Sequence, residues 1–243
     1  MEKEIVHEDV AFDTKIKKLR RFNLIMGFLH LVQSVFMFII TLVVDTPGET
    51  YPVYSNYLTF NRELGGLVAD TQQIWDAPLG IGIALFLLIS AVAHFSLATF
   101  GYKWYVENLK QNMNKARRFE YAVSSSFMLV VIAWLCGMFD FVSIMPLFSL
   151  NACMNLFGYM VEAHNQNTKK TDRTSFIFGC FAGLVPWIAL FMYFTEVRGG
   201  SPPGFVYGIM ISIAFFFNIF AMNMVLQYQR VGRWKDYLYG ERF

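Results

Sequence analysis

Six segments of this chain are each long and apolar enough to cross a lipid bilayer, which takes about 20 apolar residues. They cover residues 22–44, 79–101, 119–139, 141–161, 175–195 and 205–229. The chain is 56% hydrophobic and only 16% charged, which is less charge than soluble domains carry. Because the backbone polar groups of a span must bond within the protein, each segment is predicted to be a helix. The sequence therefore predicts an all-α membrane protein, a single transmembrane bundle over residues 1–243.

The longest connection between spans, residues 45–77, joins the first and second spans. It contains "TPGETYPVYSNYLTF", in which turn-forming residues precede alternating Tyr, Val and Leu. This pattern predicts a small β-hairpin between the first two helices.

The basic residues are divided very unequally between the two sides of the predicted bundle. With six spans, all Lys and Arg residues except Arg62 and Arg198 fall on the side of the N-terminus. Positive charge favours the cytoplasmic side of a membrane. We therefore expect a cytoplasmic N-terminal segment over residues 1–21, a cytoplasmic C-terminus and an extracellular 45–77 loop.

A carboxylate, Glu120, lies in the first turns of the third span, where burial is costly unless a partner is present. Ser124 follows one helical turn later on the same face. Glu120 is either a functional buried acid or an edge residue that reaches the interface or pairs with Arg117. Both interpretations remain open from the local pattern.

Two histidines also lie within spans, each with polar residues one turn away. Gln33 follows His30, and Ser90 precedes His94. Such groups can bond neighbouring helices to each other, or they can form a proton-exchanging or ligand-binding cavity. Because His30, His94 and Glu120 are on three different helices, their spacing does not show whether they meet.

Other features favour packing or a ligand pocket over enzymatic chemistry. Trp187 directly follows Pro186 in mid-span, where it is either a core residue or the wall of an apolar pocket. Gly179 and Gly183 have the spacing of close helix packing. The three cysteines lack metal-ligand spacing, so no metal site is predicted, and no nucleophile motif supports an enzyme. The net charge of +2 does not indicate a nucleic acid partner.

Several segments, taken in order, resemble the heliorhodopsin family. They are "FLHLVQS" (28–34), "SAVAHF" (90–95), "FEYAVSSSFM" (119–128), "LNACMNLFGY" (150–159), "FGCFAGLVPW" (178–187), "PPGFVYGIMIS" (202–212), "FFFNIFA" (215–221) and "RWKDYLYGER" (233–242). Each segment alone is a weak signal, but their combination is specific and covers nearly everything from Arg21 onward.

The resemblance implies a rhodopsin-like helical bundle that binds all-trans retinal as a protonated Schiff base. It assigns Glu120 as the Schiff-base counterion. It implies a proton-accepting polar cavity formed by His30, Gln33, Ser90 and His94. Residues implied to contact retinal are Tyr121, Ser124, Ser125, Met128, Asn151, Met154, Trp187, Tyr193 and Phe217. It further implies a light-sensing protein of the plasma membrane that signals rather than pumps, and a homodimer in which the hairpin takes part.

The sequence departs from the family where retinal would be attached. In the family a lysine of the seventh helix holds retinal, and the sequence given ends at Phe243, where that helix would begin. None of the six predicted spans contains a lysine in its interior. We expect the seventh helix to follow the sequence given; the alternative is that retinal is not attached covalently by this route. Smaller departures, at Asn155, Ile177 and Met224, affect the expected shape of the pocket.

Two other functions remain as alternatives at the level of sequence. A light-gated proton conductor needs a polar path across the whole bilayer, and stretches such as "FMLVVIAWL" (127–135) offer few proton carriers. A membrane scaffold or regulator without photochemistry would not explain the group formed by Glu120 and its serines. An enzyme is the least favoured class.

Overall fold

The described part of the chain folds into six long helices that follow one another in sequence, with a β-hairpin between the first two. The computed structural model describes residues 2–43, 50–166, 168, 170–195 and 204–240. The elements are α1 (Glu2–Val43), β1 (Thr50–Asn61), β2 (Gly66–Pro78), α2 (Leu79–Ala98), α3 (Tyr102–Lys110), α4 (Lys115–Leu135), α5 (Phe141–His164), α6 (Thr174–Thr195), α7 (Gly204–Tyr228), a 3-10 helix (Gly232–Lys235) and α8 (Tyr237–Gly240). Six of these helices are long and apolar enough to span a membrane, as the sequence predicts. Residues 1, 44–49, 202–203 and 241–243 and Arg198, which entered the sequence analysis, lie outside the described residues.

The first helix is longer than the predicted span because the charged N-terminal segment continues it without a break. Ile16 and Leu19 of this extension are buried against Tyr105 and Leu109 of α3 and against Leu238 of α8. The short helix α3, which the sequence analysis did not predict, is thereby packed across the end of the bundle. We call this end, with α3 and α8, the terminal side, and the opposite end, with the hairpin, the hairpin side.

Helix α4 begins and ends about four residues earlier than the predicted span 119–139. At its start, the Asn114 side chain accepts a hydrogen bond from the Arg117 backbone N–H at 3.1 Å, which is an N-cap. At its end, Gly137 has φ +87°, and the Met138 N–H bonds back to Ala133 O at 2.9 Å. A left-handed glycine with this bond terminates a helix, so both local signals override the apolar pattern that continues to Phe139.

Consecutive spans pack on one another through small residues and side-chain to backbone bonds. Ser34 of α1 donates to Ala84 O of α2 at 2.7 Å. Gly82 of α2 faces Val131 and Trp134 of α4. A hydroxyl bonded across two helices satisfies polar groups for which the lipid offers no partner. Helix α7 joins the bundle through aromatic contacts, including Phe194 to Tyr207 and Trp187 to Phe217.

Large apolar side chains lie exposed along the outer faces of the spans, which suits a bilayer and not water. Examples are Val32 on α1, Phe181 on α6 and Ile211 on α7, each at least 65% exposed. The protein is therefore an integral membrane protein, in which the lipid covers these faces.

The predicted hairpin is present and is anchored on the turn between α4 and α5. Its strands pair antiparallel from Thr50 opposite Pro78 to Asn61 opposite Gly66, with one irregularity beside Val53. The Tyr54 N–H donates to Phe139 O at 2.9 Å. These contacts fix the hairpin to the end of the helical core, because Val53 is fully buried there.

Asp140 connects the hairpin and α5. Its carboxylate accepts from Asn56 Nδ2 at 2.8 Å, from the Ser143 N–H at 2.8 Å and from Ser143 Oγ at 2.7 Å. Burial by itself would raise the pKa of the Asp140 carboxyl, but these hydrogen bonds outweigh it and lower the pKa below its usual value.

We expect Asp140→Ala to destabilise the protein by about 0.5–2 kcal/mol, because α5 loses its N-cap. Asp140→Asn, which keeps an acceptor oxygen, should lose less. Thermal unfolding in detergent measures both. Because the folded pKa is depressed, the contribution of Asp140 is present above about pH 4 and is lost as the pH falls through the folded pKa. Equal stability of the Ala variant and the wild type at pH 7 would contradict this role.

Candidate functional site

A polar cavity of about 270 Å³ lies in the terminal half of the bundle between α1, α2 and α4. His30, His94 and Glu120, whose meeting the sequence leaves open, all line it. The remaining lining residues are Phe22, Asn23, Met26, Ala93, Leu97, Tyr105, Asn114, Arg117 and Tyr121. The fold thus brings these three ionisable groups, each from a different helix, to one cavity.

Glu120 is held by hydroxyl groups at the wall of this polar cavity. Ser90 Oγ of α2 donates to Glu120 Oε1 at 3.0 Å, and Ser124, one turn along α4, also bonds the carboxylate. Arg117, the edge partner considered from the sequence, extends its guanidinium over the Tyr121 and Phe220 rings at 5.4 and 5.8 Å. Hydroxyl donors stabilise a carboxylate at this depth, and the Ser90 bond ties α2 to α4.

The two histidines stack on each other across the same cavity. Their ring centroids are 5.6 Å apart and their planes differ by 16°. His94 Nδ1 lies 3.0 Å from Asn23 Oδ1, and Gln33 bonds His30. Among the described residues, His30 Nδ1 and Asn23 Nδ2 have no hydrogen-bond partner. A cavity of this size with such free polar atoms has room for ordered water, which needs two to four polar partners.

A second polar group, on the opposite face of α4, joins it to α5. Asn151 Nδ2 donates to Ser125 Oγ at 2.9 Å and to Ser126 Oγ at 3.0 Å. Asn155 Nδ2 also donates to Ser125 Oγ, at 3.1 Å. The three consecutive serines of α4 therefore form hydrogen bonds in two directions. Ser124 bonds Glu120, whereas Ser125 and Ser126 bond Asn151 of α5.

An apolar cavity of about 350 Å³ lies on the other side of α4, between α5, α6 and α7. It is lined by Arg118, Met154, Asn155, Gly158, Ser175, Phe176, Gly179, Cys180, Gly183, Leu184, Trp187, Phe217, Asn218, Phe220, Ala221 and Met224. Three of the residues assigned to retinal, Met154, Trp187 and Phe217, meet here. The Trp187 and Phe217 rings are edge to face at 5.4 Å.

An aromatic contact links the two cavities. The ring of Tyr121, which lines the polar cavity, is 5.1 Å from that of Phe220, which lines the apolar cavity. The two cavities are thus adjacent but differ in chemistry.

The width of the apolar cavity depends on two glycines of α6. A Cβ at Gly183 would collide with Met154 Sδ, and one at Gly179 would lie 3.1 Å from Phe157 Cβ. The spacing noted in the sequence therefore brings α6 close to α5 beside the cavity.

Other residues assigned to retinal lie outside both cavity walls. Met128 packs against the apolar core of the hairpin side. Tyr193 is 38% exposed near the hairpin end of α6. Ser124, Ser125 and Asn151 belong to the hydrogen-bonded groups around α4 described above.

The sequence analysis missed a buried ion pair between α4 and α5. Arg118 Nη2 and Nε donate to Glu162 Oε1 at 2.6 and 3.0 Å, and the Asn114 N–H donates to Glu162 Oε2 at 3.0 Å. The Glu162 side chain is 1% exposed. Glu162 lies just past the predicted fourth span, so the search for ionisable residues within spans did not include it. Asn23 of the polar cavity was also missed, although it lies seven residues before His30 and its helical spacing places it on the same face.

The Arg118–Glu162 ion pair separates the apolar cavity from a polar cleft. Arg118 lines the apolar cavity, and Glu162 lines a cleft of about 620 Å³ that opens at the terminal side. The same ion pair therefore borders both spaces.

One comparison with known proteins identifies the family of the chain. A family model described as Heliorhodopsin matches residues 19–243, nearly the whole chain. A comparison with curated proteins gives no match.

We expect removal of one partner of the ion pair to be far more costly than removal of both. Glu162→Leu leaves Arg118 buried without its counter-charge and should cost about 3–5 kcal/mol of stability. Arg118→Leu with Glu162→Leu should be more stable than either single variant, because no unpaired charge remains. A double-mutant cycle of thermal unfolding in detergent tests this; additive losses would contradict it.

Proposed function

Because the chain belongs to the heliorhodopsin family, it is a retinal-binding, rhodopsin-like membrane protein, and we propose that it is a light sensor that signals rather than pumps. In this proposal it acts as a photoreceptor and not as an enzyme. The carrying observation is that Glu120 borders the same cavity as His30 and His94.

The apolar cavity fits retinal in chemistry and size. Its volume of about 350 Å³ lies within the range of small-molecule pockets. The Trp187 Nε1 atom is buried there without a hydrogen-bond partner among the described residues. Aromatic and thioether walls, as provided by Trp187, Phe217 and Met154, suit an apolar polyene. When bound, all-trans retinal supplies absorption of visible light and isomerisation.

We propose Glu120 as the counterion of the protonated Schiff base. Its hydroxyl donors, Ser90 and Ser124, hold the carboxylate in a fixed direction and stabilise its negative charge. A fixed anion stabilises a cation nearby more than bulk water would, since the surrounding dielectric is low.

We propose the histidines as the proton acceptor. His94 is one turn from Ser90 on α2, so it lies next to the residue that bonds Glu120. The stacked pair of His30 and His94 can accept one proton between them, because a neutral imidazole ring has one nitrogen that is free to accept. Asn23 Oδ1 is placed to orient the His94 ring.

Signalling is favoured over proton conduction by the core of the hairpin side. The buried cluster there is apolar and includes Leu129, Ile132, Met138, Ile144, Leu147, Leu190 and Phe194. This apolar cluster offers few groups that could carry a proton from the polar cavity toward the hairpin. A pH change in illuminated vesicles would instead favour the conductor, the second candidate.

The orientation, location and assembly are part of the same proposal. We propose that both described ends of the bundle face the cytoplasm and that the protein lies in the plasma membrane; the distribution of basic residues supports the orientation. The hairpin exposes apolar side chains at its tip, such as Leu58, Phe60 and Leu67. Exposed apolar patches of this kind favour contact with another protein, which supports a homodimer that uses the hairpin.

Adding all-trans retinal to membranes that contain the full-length protein should produce a visible absorption band. Hydroxylamine with light should remove the band, since it attacks the cofactor linkage. Membranes without the protein are the control. Absence of any band would reject the photoreceptor and leave the scaffold.

Glu120→Gln should shift the absorption band to longer wavelength, because the cation loses its counter-charge. Glu107→Gln, an exposed acid on α3, is the matched control and should leave the band in place. The spectra are compared in the same detergent at pH 7. A band at the wild-type wavelength in the Glu120 variant would remove Glu120 from this role.

A further inference from the structure

The polar cleft at the terminal side is lined by three separate parts of the chain. They are the connection from α3 to α4, the end of α5 with the residues after it, and the segment from the end of α7 through the 3-10 helix. At about 620 Å³ it is large enough for a small-molecule ligand. Neither the polar cavity nor the apolar cavity includes it.

The charges on the cleft are positive and unbalanced. Arg230 and Lys235 both line it and are both exposed. Neither forms an ion pair within the described part of the chain. The acid in the lining, Glu162, is already neutralised by Arg118. An anion that enters the cleft would therefore meet two cations and would not have to displace a carboxylate of the chain from either one.

The backbone at Arg230 is held in a conformation that arginine rarely adopts. Its φ is +53°, and the Val231 N–H bonds back to Leu226 O at 3.1 Å. This is the helix-ending position that glycine normally occupies. The other described non-glycine residue with positive φ, Asn112 at +52°, lines the same cleft. Non-glycine residues in this conformation occur preferentially at functional sites.

The cleft walls are held in place by side-chain amides. Gln166 Nε2 donates to Gln111 O at 2.8 Å, which joins the end of α5 to the α3–α4 connection. Gln227 Nε2 donates to Tyr237 O at 3.3 Å, which joins α7 to the C-terminal segment. A site whose walls are already fixed loses less entropy when a ligand binds.

We propose that this cleft binds a phosphate-bearing anion, with Arg230 and Lys235 holding its charge. A phosphate monoester carries about −1.5 to −2 charges at pH 7, which matches two cations, whereas a carboxylate carries one. Arg230 also offers the planar fork that bonds phosphate oxygens in pairs. The phosphate comes either from a soluble molecule or from a lipid headgroup. The proposal does not depend on photochemistry.

The test uses the full-length protein in phosphatidylcholine nanodiscs, in the dark. Pyrophosphate is titrated by calorimetry, and in detergent phosphatidic acid is compared with phosphatidylcholine by native mass spectrometry. Arg230→Gly with Lys235→Gln should weaken binding at least about tenfold, the loss of one charge-assisted contact. The glycine relieves the backbone at position 230, so this variant should unfold at no lower temperature than the wild type.

Lys17→Gln with Lys18→Gln is the matched control, because it removes two exposed positive charges from the same side, away from the cleft. It should bind as the wild type does. Pyrophosphate binding identifies a soluble source, and selective retention of phosphatidic acid identifies a lipid. Equal loss in both double variants would overturn the proposal in favour of general surface charge. No binding of either probe, or binding of a hexaglutamate peptide instead, would also overturn it. Because the binding test uses no light, its result can be interpreted even if the retinal experiment gives no absorption band.

Discussion

The bundle depends on the requirement that a polar group inside a membrane find its partner within the protein. Helix α4 carries several of these groups and is bonded on two faces. Glu120 accepts from Ser90 of α2, and Ser125 and Ser126 accept from Asn151 of α5. Since each such bond specifies which faces meet, the polar residues of α4 fix the positions of its neighbours, although each bond contributes only about 0.6 kcal/mol on average.

The bundle is divided into two halves of different chemistry. On the terminal side, polar and charged residues surround the histidine cavity and the cleft. On the hairpin side, the core is apolar and is closed by the hairpin through Val53. A charge on the terminal side is stabilised by its polar partners there, and moving it into the apolar, low-dielectric hairpin side would be costly.

The sequence predicts the elements well and the contacts between them poorly. The six spans and the hairpin follow from apolar length and alternation, which are local properties. The ends of α4 differ from prediction because Asn114 and Gly137 act through caps, which an apolar count ignores. The meeting of His30, His94 and Glu120 needed the packing of three helices. The Arg118–Glu162 pair was missed because each residue lies at the edge of an apolar run, where charges are ordinarily solvated. In the resemblance to the family, the retinal assignments of Met154, Trp187 and Phe217 converge on one cavity, whereas Tyr193 lies apart from it.

The position of the Arg118–Glu162 pair between the apolar cavity and the terminal cleft has a thermodynamic consequence. A rearrangement in the apolar cavity that displaces Arg118 changes the charge balance at Glu162, and with it the free energy of any occupant of the cleft. Linkage requires the reverse by the same factor, so an occupant of the cleft would alter the stability of states of the apolar cavity. Through the buried ion pair, the occupancy of each space thus changes the free energy of the other, and the coupling free energy is the same in both directions.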